Sequence, residues 1–341
     1  MILVTGASGL IGSHLLYKLT SSNQNVRALY RRKHKIDNVK HVFSYYTSNV
    51  DALFSKIEWV ECDINDIPKL NDVFNGVTAV YHCAAFVSFE PDKYKQLRKV
   101  NIKGTANVVN CCIKYNVKRL CYLSSIAALG HNLDSETLIN ESTAWNPEGD
   151  HSVYAISKYG AELEVWRASQ EGVEVVVVNP GIVLGPGYWH GGGSSGLFKQ
   201  IYKGINYYTT GMTGYVDIWD VINPMIALMK GDTYNEGYIL VSENRSFKDF
   251  FQHTAKKLGV NPPKKQAKNW LLQLAWRLDW LNHKLFGKRR KLSKHMAQSA
   301  LSVSKYDNSK IRQYLNYDFK PIEQSISENC ELLLKDLNTP K

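Results

Sequence analysis

The stretch VTGASGLIGSHLL, residues 4–16, carries glycines at 6, 9 and 12 between the apolar run MILVT (1–5) and a helical pattern reaching Leu19. A strand that turns into a helix through this spacing suits a dinucleotide. Gly6 permits the tight turn. Gly9 lets backbone approach a pyrophosphate with no Cβ in the way, and Gly12 lets the helix pack close to the sheet. The anion would meet the amide-rich, positive end of the helix. The candidate contacts of this turn are Gly6, Ser8, Gly9, Leu10, Ile11 and Gly12.

The next apolar run ends in VRALYRRKHK (26–35). An acid at this place would bind the ribose 2′-hydroxyl of NAD, whereas an arginine accommodates the 2′-phosphate of NADP. Arg31 and Arg32 follow the strand and no acid occurs before Asp37. A guanidinium offers a planar fork of donors that matches phosphate. NADP is therefore expected in preference to NAD.

Further along, IEWVEC (57–62), VTAVYHCA (77–84), VKRLCYLSS (117–125) and VEVVVVN (173–179) read as strands. They alternate with helical patterns near 67–74, 92–115 and 153–171. Continuous Val/Ile/Leu runs separated by helices indicate a parallel sheet covered on both faces. Right-handed crossovers then give an α/β, doubly wound Rossmann sheet. After Asn179 the rhythm breaks into NPGIVLGPGYWHGGGSSG (179–196), which reads as turn-rich and mobile. The remainder is mostly helical with short strands such as GYILVS (237–242). The expected organisation is a dinucleotide-binding domain over 1–180, with later segments returning to it, and a smaller, mostly helical substrate-binding domain over 181–341.

The chain has 341 residues, 44% of them hydrophobic, which is ample for a core. Six cysteines lack C-x-x-C or zinc spacing and read as reduced core residues. His82, Cys83 and His190 also lack ligand spacing, so no metal is expected. No apolar run approaches ~18 residues and no secretory signal pattern opens the chain, so a cytoplasmic protein is expected. The net charge is +11, and nine of these charges fall between 262 and 295, where ten Lys/Arg face one acid, Asp279. The rest is close to neutral, which argues against a nucleic-acid-binding surface. Within this segment NWLLQLAWRLDWLNHKLF (269–286) has one polar stripe on an otherwise Trp- and Leu-rich circumference. It reads either as a helix packed on the substrate domain or as a membrane-surface helix whose following GKRRKLSK (287–294) meets anionic headgroups.

YAISK (154–158) sets a tyrosine and a lysine one helical turn apart. The same spacing recurs in YDNSK (306–310), so position must decide between them. Tyr154 opens a helix after the strand ending in Ser124 and Ser125, above the C-terminal edge of the sheet where ligands bind in such folds. Tyr306 lies in a polar, lysine-rich stretch and reads as a surface residue.

TGASGLIG, CDI, HCAA, NIKGTANVV, LSSIAALG, YAISK and NPGIVLGPG occur in that order. Together with GYVDIWDVI (214–222), they resemble the extended short-chain dehydrogenase/reductases of the NAD-dependent epimerase/dehydratase superfamily. The dihydroflavonol-reductase-like and hydroxysteroid-dehydrogenase-like branch is the most similar in style. The resemblance covers about residues 1–240. It implies a catalytic set of Ser125, Tyr154 and Lys158, with Ser124 the alternative to Ser125. It also implies that Asp63 and Ile64 flank the adenine, that Ala84 and Ala85 line the pyrophosphate side, that Asn101 supports the site, and that Pro180, Gly181, Ile182 and Val183 cradle the nicotinamide amide. Tyr154 and Lys158 would both touch the cofactor as well.

The implied activity is NADP(H)-dependent reduction of a ketone or aldehyde to an alcohol, with Tyr154 as proton donor. The alternatives are an NAD-dependent nucleotide-sugar epimerase and a non-catalytic dinucleotide-binding regulator. Dehydratases of the family carry an acidic pair just after the serine, where this chain has Ile126 and Ala127. The expected partners are a small carbonyl or alcohol substrate and, through 262–295, a membrane surface. The expected state is a monomer or homodimer.

Overall fold

Residues 1–130, 137–190, 193–287, 290 and 292–338 are described by the computed structural model. Its strands are β1 (Ile2–Thr5), β2 (Val26–Tyr30), β3 (Ile57–Glu61), β4 (Ala79–His82), β5 (Arg119–Leu123), β6 (Glu174–Pro180), β7 (Ile182–Leu184), β8 (Tyr207–Tyr208), β9 (Met212–Asp217), β10 (Glu236–Leu240), β11 (Glu243–Ser246) and β12 (Lys265–Gln266). The helices of the first half are α1 (Leu10–Ser21), α2 (Ile36–Ser44), α3 (Val50–Phe54), α4 (Ile67–Val73), α5 (Tyr94–Leu97), α6 (Gly104–Lys114) and α7 (Val153–Gln170). Those of the second half are α8 (Ser194–Tyr202), α9 (Trp219–Lys230), α10 (Phe247–Lys257), α11 (Asn269–Phe286), α12 (Lys294–Ser299), α13 (Ser309–Leu315) and α14 (Ile322–Asn338).

Seven strands make a parallel sheet in the order β10-β6-β5-β4-β1-β2-β3. Successive side chains enter opposite cores, because a strand alternates its faces. Val4, Ala28, Val176 and Val178 pack on one side, and Leu3, Leu29, Val175 and Val177 on the other. The strand order reverses between β1 and β4, and a crevice opens at the C-terminal ends of such strands.

The chain after Asn179 is more regular than its glycines and prolines suggest. Pro180 ends β6, and β7 pairs with β9 in a second, three-stranded sheet. The Ser195 hydroxyl donates to the Gly185 carbonyl at 2.6 Å, which ties α8 to this turn. Gly191 and Gly192 lie outside the described residues. Later segments do return to the parallel sheet. β10 pairs with β6, and Val221, Ile222 and Met225 of α9 share a core with β1. Phe198, Tyr215, Phe250 and Ile326 form a separate core between the second sheet, α8, α10 and α14.

Tyr306 is not a surface residue. It is 6% exposed and packs with Ile126, Ile139 and Val241. Ile139 N–H donates to the Lys305 carbonyl and Asp307 N–H to the Ile139 carbonyl, both at 2.8 Å. This short bridge turns Tyr306 inward and its polar neighbours outward. Lys310 pairs with Glu236 at 2.6 Å, so the second Tyr/Lys motif is structural. The six cysteines are free thiols, and all but the half-buried Cys83 are buried.

The helix expected over 269–286 forms, but the core covers little of it. Leu272 is buried and Trp276 packs partly against Ala267 and Ala297, whereas Trp270 and Trp280 are exposed. Lys288, Arg289 and Lys291 of the basic run lie outside the described residues.

Candidate active site

The glycine turn has the geometry that its spacing predicts. Gly6 has φ +66°, and a Cβ there would lie 2.6 Å from the backbone of Cys83 and Ala84. A Cβ on Gly12 would lie 2.3 Å from the Gly6 carbonyl oxygen. A Cβ on Gly9 would meet only the Gly6 carbonyl, at 3.3 Å, so this side of the turn is open. Gly9 caps α1 with no side-chain hydrogen bond, which leaves first-turn N–H groups without intrahelical acceptors. An open backbone cradle with orphan donors fits a pyrophosphate. The Tyr188 hydroxyl donates to the Ser8 carbonyl at 3.0 Å and braces the turn from outside the parallel sheet.

At the end of β2, Arg31 and Arg32 are exposed, and Lys35 follows on a short 3₁₀ turn. Burial, then repulsion from Arg32 and Arg31, lowers the Lys35 pKa. Three cations crowd this strand end and make it locally positive. Arg31 also lies 3.8 Å from Asp63, which lines a cleft together with Asn65 and Lys99. Burial works to raise the Asp63 pKa, but two hydrogen bonds from Asn65, then Arg31 and Lys99, bring it below the usual value. The Ile64 side chain is buried against Gly104 in the core beneath this cleft, and its carbonyl accepts from Asn107 at 3.0 Å.

Ser125 and Tyr154 meet above the end of β5. Ser125 caps the 3₁₀ turn Ile126–Ala128 by accepting from Ala127 N–H at 3.2 Å, which fixes its hydroxyl at the strand edge. Ser152 caps α7 in the same way, accepting from Ala155 N–H, so Tyr154 sits on the first turn. Burial pushes the Tyr154 phenol up to about 12, and the neighbouring Ser125 hydroxyl pulls it back in part. The Phe89 ring stands edge-on at 5.3 Å.

Lys158 is 1% exposed, one turn further along α7. Its Nζ donates to the Tyr122 hydroxyl at 2.8 Å and to the Leu123 carbonyl at 2.7 Å, with no hydrogen bond to Tyr154. Burial brings its pKa down to about 7 against the charge of Glu162, one more turn along. Glu162 accepts from Asn179 Nδ2 at 2.6 Å, and its pKa is raised by burial. The 154–158–162 spacing carries this signal in the sequence.

Behind Lys158 a buried polar chain runs back to the glycine turn. His82 bonds Thr105 Oγ1 at 2.9 Å and Thr5 Oγ1 at 2.6 Å, and Thr5 Oγ1 accepts from Ala84 N–H at 3.2 Å. Burial, then the Lys158 charge, pushes His82 down to about 3, so the ring is neutral. Ala84 and Ala85 thus follow a strand end held directly against Gly6.

Asn101 is 1% exposed on a π-helical turn, Arg98–Lys103, set between α5 and α6. Such a turn re-aims side chains within a helix and recurs at functional sites. Asn101 Oδ1 accepts from Phe86 N–H at 2.7 Å, and its Nδ2 donates to the Phe86 carbonyl and to Ser157 Oγ, both at 2.9 Å. It therefore ties the loop after β4 to α7, rather than capping its own helix. On the other side of the crevice, a Cβ on Gly181 would lie 2.4 Å from the Gly214 carbonyl. Ile182 and Val183 pair with Tyr215 and Val216 across the second sheet. Pro180–Val183 thereby join the two sheets beside the site.

Nothing in the residue pattern points to Tyr122, Lys35 or Tyr188, or to His82 as a polar link. Tyr122 looks like a core aromatic in an apolar strand, and only the fold brings Lys158 to its hydroxyl.

Known proteins are similar to this chain in sequence and in fold. A putative dihydroflavonol 4-reductase of Synechocystis is 28% identical over 332 residues, 95% of this chain and 92% of its own. Cinnamoyl-CoA reductase 1 of Petunia hybrida is 29% identical over 229 residues, 65% of this chain and 66% of its own. The structure of UDP-glucose 4-epimerase from Thermotoga maritima superposes with a TM-score of 0.77 over 99% of both chains at 20% identity, a likeness of fold. Residues 2–235, from the first strand to the approach of β10, match the NAD dependent epimerase/dehydratase family, and the chain belongs to that family of nicotinamide-dinucleotide enzymes.

Proposed function

We propose that the protein is an NADP(H)-dependent reductase that converts a ketone or aldehyde to an alcohol, with Tyr154 as proton donor. The observation that carries this reading is the closeness of Tyr154 and Ser125 over the sheet edge, with a buried Lys158 one turn away. The reductase names of the two curated relatives support the reaction class.

Gly6, Ser8, Gly9, Leu10, Ile11 and Gly12 would hold the pyrophosphate, with Ala84 and Ala85 alongside. Arg31, Arg32 and Lys35 would hold the 2′-phosphate, Asp63 and Ile64 the adenine, and Pro180, Gly181, Ile182 and Val183 the nicotinamide amide. NADPH, when bound, supplies hydride to the carbonyl carbon. A phenol raised to about 12 is protonated at neutral pH, so Tyr154 donates its proton to the carbonyl oxygen. Ser125 donates a hydrogen bond to the same oxygen as charge builds there. Lys158 would stabilise the phenolate left behind by its charge and would help to hold the cofactor ribose. Asn101 positions the site from behind through Phe86 and Ser157.

The test is loss of NADPH absorbance with a panel of aldehydes and ketones. Substrate-dependent oxidation of NADPH is expected. Saturable NADPH binding with no turnover across the panel would favour a non-catalytic binder, and interconversion of nucleotide sugars with NAD would favour an epimerase.

A further inference from the structure

We infer that α11 docks on an anionic lipid bilayer, lying in the headgroup layer with its outer face toward the acyl chains. Trp270, Leu274, Leu278, Leu281 and Leu285 recur every three or four residues, so they fall within roughly a quarter of the helix circumference. Each is between 43% and 65% exposed. Leu272 and Trp276 lie on the opposite side and pack on Ala267 and Ala297. The helix thus has an inner apolar face that the protein covers and an outer apolar face that it does not. An ordinary surface helix presents polar residues outward.

The surrounding charge indicates the occupant. Lys264, Lys265 and Lys268 are exposed just before the helix, and Arg277 and Lys284 are exposed along the edge of the outer face. The one acid of the segment, Asp279, is turned inward, where it accepts from Leu292 N–H at 3.2 Å and lies 3.6 Å from Arg290. Aromatic and leucine side chains flanked by lysines suit an anionic headgroup layer. A second copy suits it poorly, because a two-fold interface would set two segments of the same charge against each other. Among the described residues no helix is long and apolar enough to cross a membrane, so the contact is peripheral. A cleft between Phe86, Val87 and Lys93 on one side and His283 and Gly287 on the other adjoins the end of α11. Docking brings this cleft to the lipid surface.

Flotation of the full chain with phosphatidylcholine vesicles, with and without phosphatidylglycerol, tests the inference. Binding is expected to the anionic vesicles alone, and to disappear as added salt shortens the Debye length well below about 10 Å. The triple change Lys264→Gln, Lys265→Gln and Lys268→Gln should weaken binding about a hundredfold. The double change Trp270→Ser and Leu285→Ser should abolish it while leaving circular dichroism and the thermal midpoint unaltered, since both side chains face outward. Absence of binding at low salt, or equal binding to neutral vesicles, overturns the inference. So does a dimer in sedimentation that the double change dissociates while vesicle binding is absent, because the outer face would then belong to a second copy.

Discussion

Lys158 places its ammonium 2.8 Å from the hydroxyl of Tyr122, and both side chains are about 1% exposed. A buried ammonium needs acceptors, and Tyr122 with the Leu123 carbonyl provides two. This pairing fixes where the lysine points, beneath the strand edge that carries Ser125.

Tyr122→Phe removes one acceptor and keeps the ring. A hydrogen bond to a charged group contributes about 1.5–3 kcal/mol, so the cofactor-free protein should lose about that much stability in a denaturant titration at neutral pH. An unchanged midpoint would mean that the ammonium depends on other acceptors.

The same lysine makes stability depend on pH. Its pKa is about 7 in the folded chain, against 10.5 when exposed. The unfolded chain therefore binds more protons between these values, and this group's penalty shrinks as pH rises through the window. Cofactor-free wild type should gain stability relative to Lys158→Met as pH is raised from about 7 toward 10. A constant difference between the two would contradict the lowered pKa.

Arg31→Ala should weaken NADPH far more than NADH. A charge-assisted hydrogen-bond set contributes about 1.5–3 kcal/mol, or roughly ten- to a hundredfold in affinity. Titration calorimetry with both cofactors reads this directly. An equal loss for both would assign Arg31 another role, such as its pairing with Asp63 at 3.8 Å.

Tyr306→Ala should destabilise the fold by about 3–5 kcal/mol, since it empties a buried aromatic site. Tyr306→Phe should cost much less, and should leave turnover per folded molecule unchanged. A substantial drop in that turnover would place Tyr306 in the chemistry after all.

The sequence made the parallel sheet legible because its central strands are buried on both faces and so run as short, mostly apolar stretches, of which VVVV in β6 is the clearest. The glycine turn was legible because Gly6 and Gly12 answer steric demands that another residue would violate, while Gly9 keeps the open side of the turn clear. Position relative to β5 distinguished Tyr154 from Tyr306, but the burial of Tyr306 was not readable, since its polar neighbours obscure a single inward-facing residue. Asn101 reads from the sequence as a support, yet the π turn that aims it leaves no mark in the residue pattern. Tyr122, Tyr188 and Lys35 acquire their roles from partners far along the chain or from a local turn. For α11 the helix was readable and the covered face was not, because apolar residues lie on both sides and only packing selects between them.

The most direct test of the central claim is the turnover of Tyr154→Phe measured beside its NADPH affinity. Phenylalanine keeps the ring against Phe89 and removes the proton. NADPH binding close to wild type and a rate about 10²–10⁴-fold lower are expected. Retention of more than about a tenth of the wild-type rate, with cofactor binding intact, would contradict Tyr154 as the proton donor.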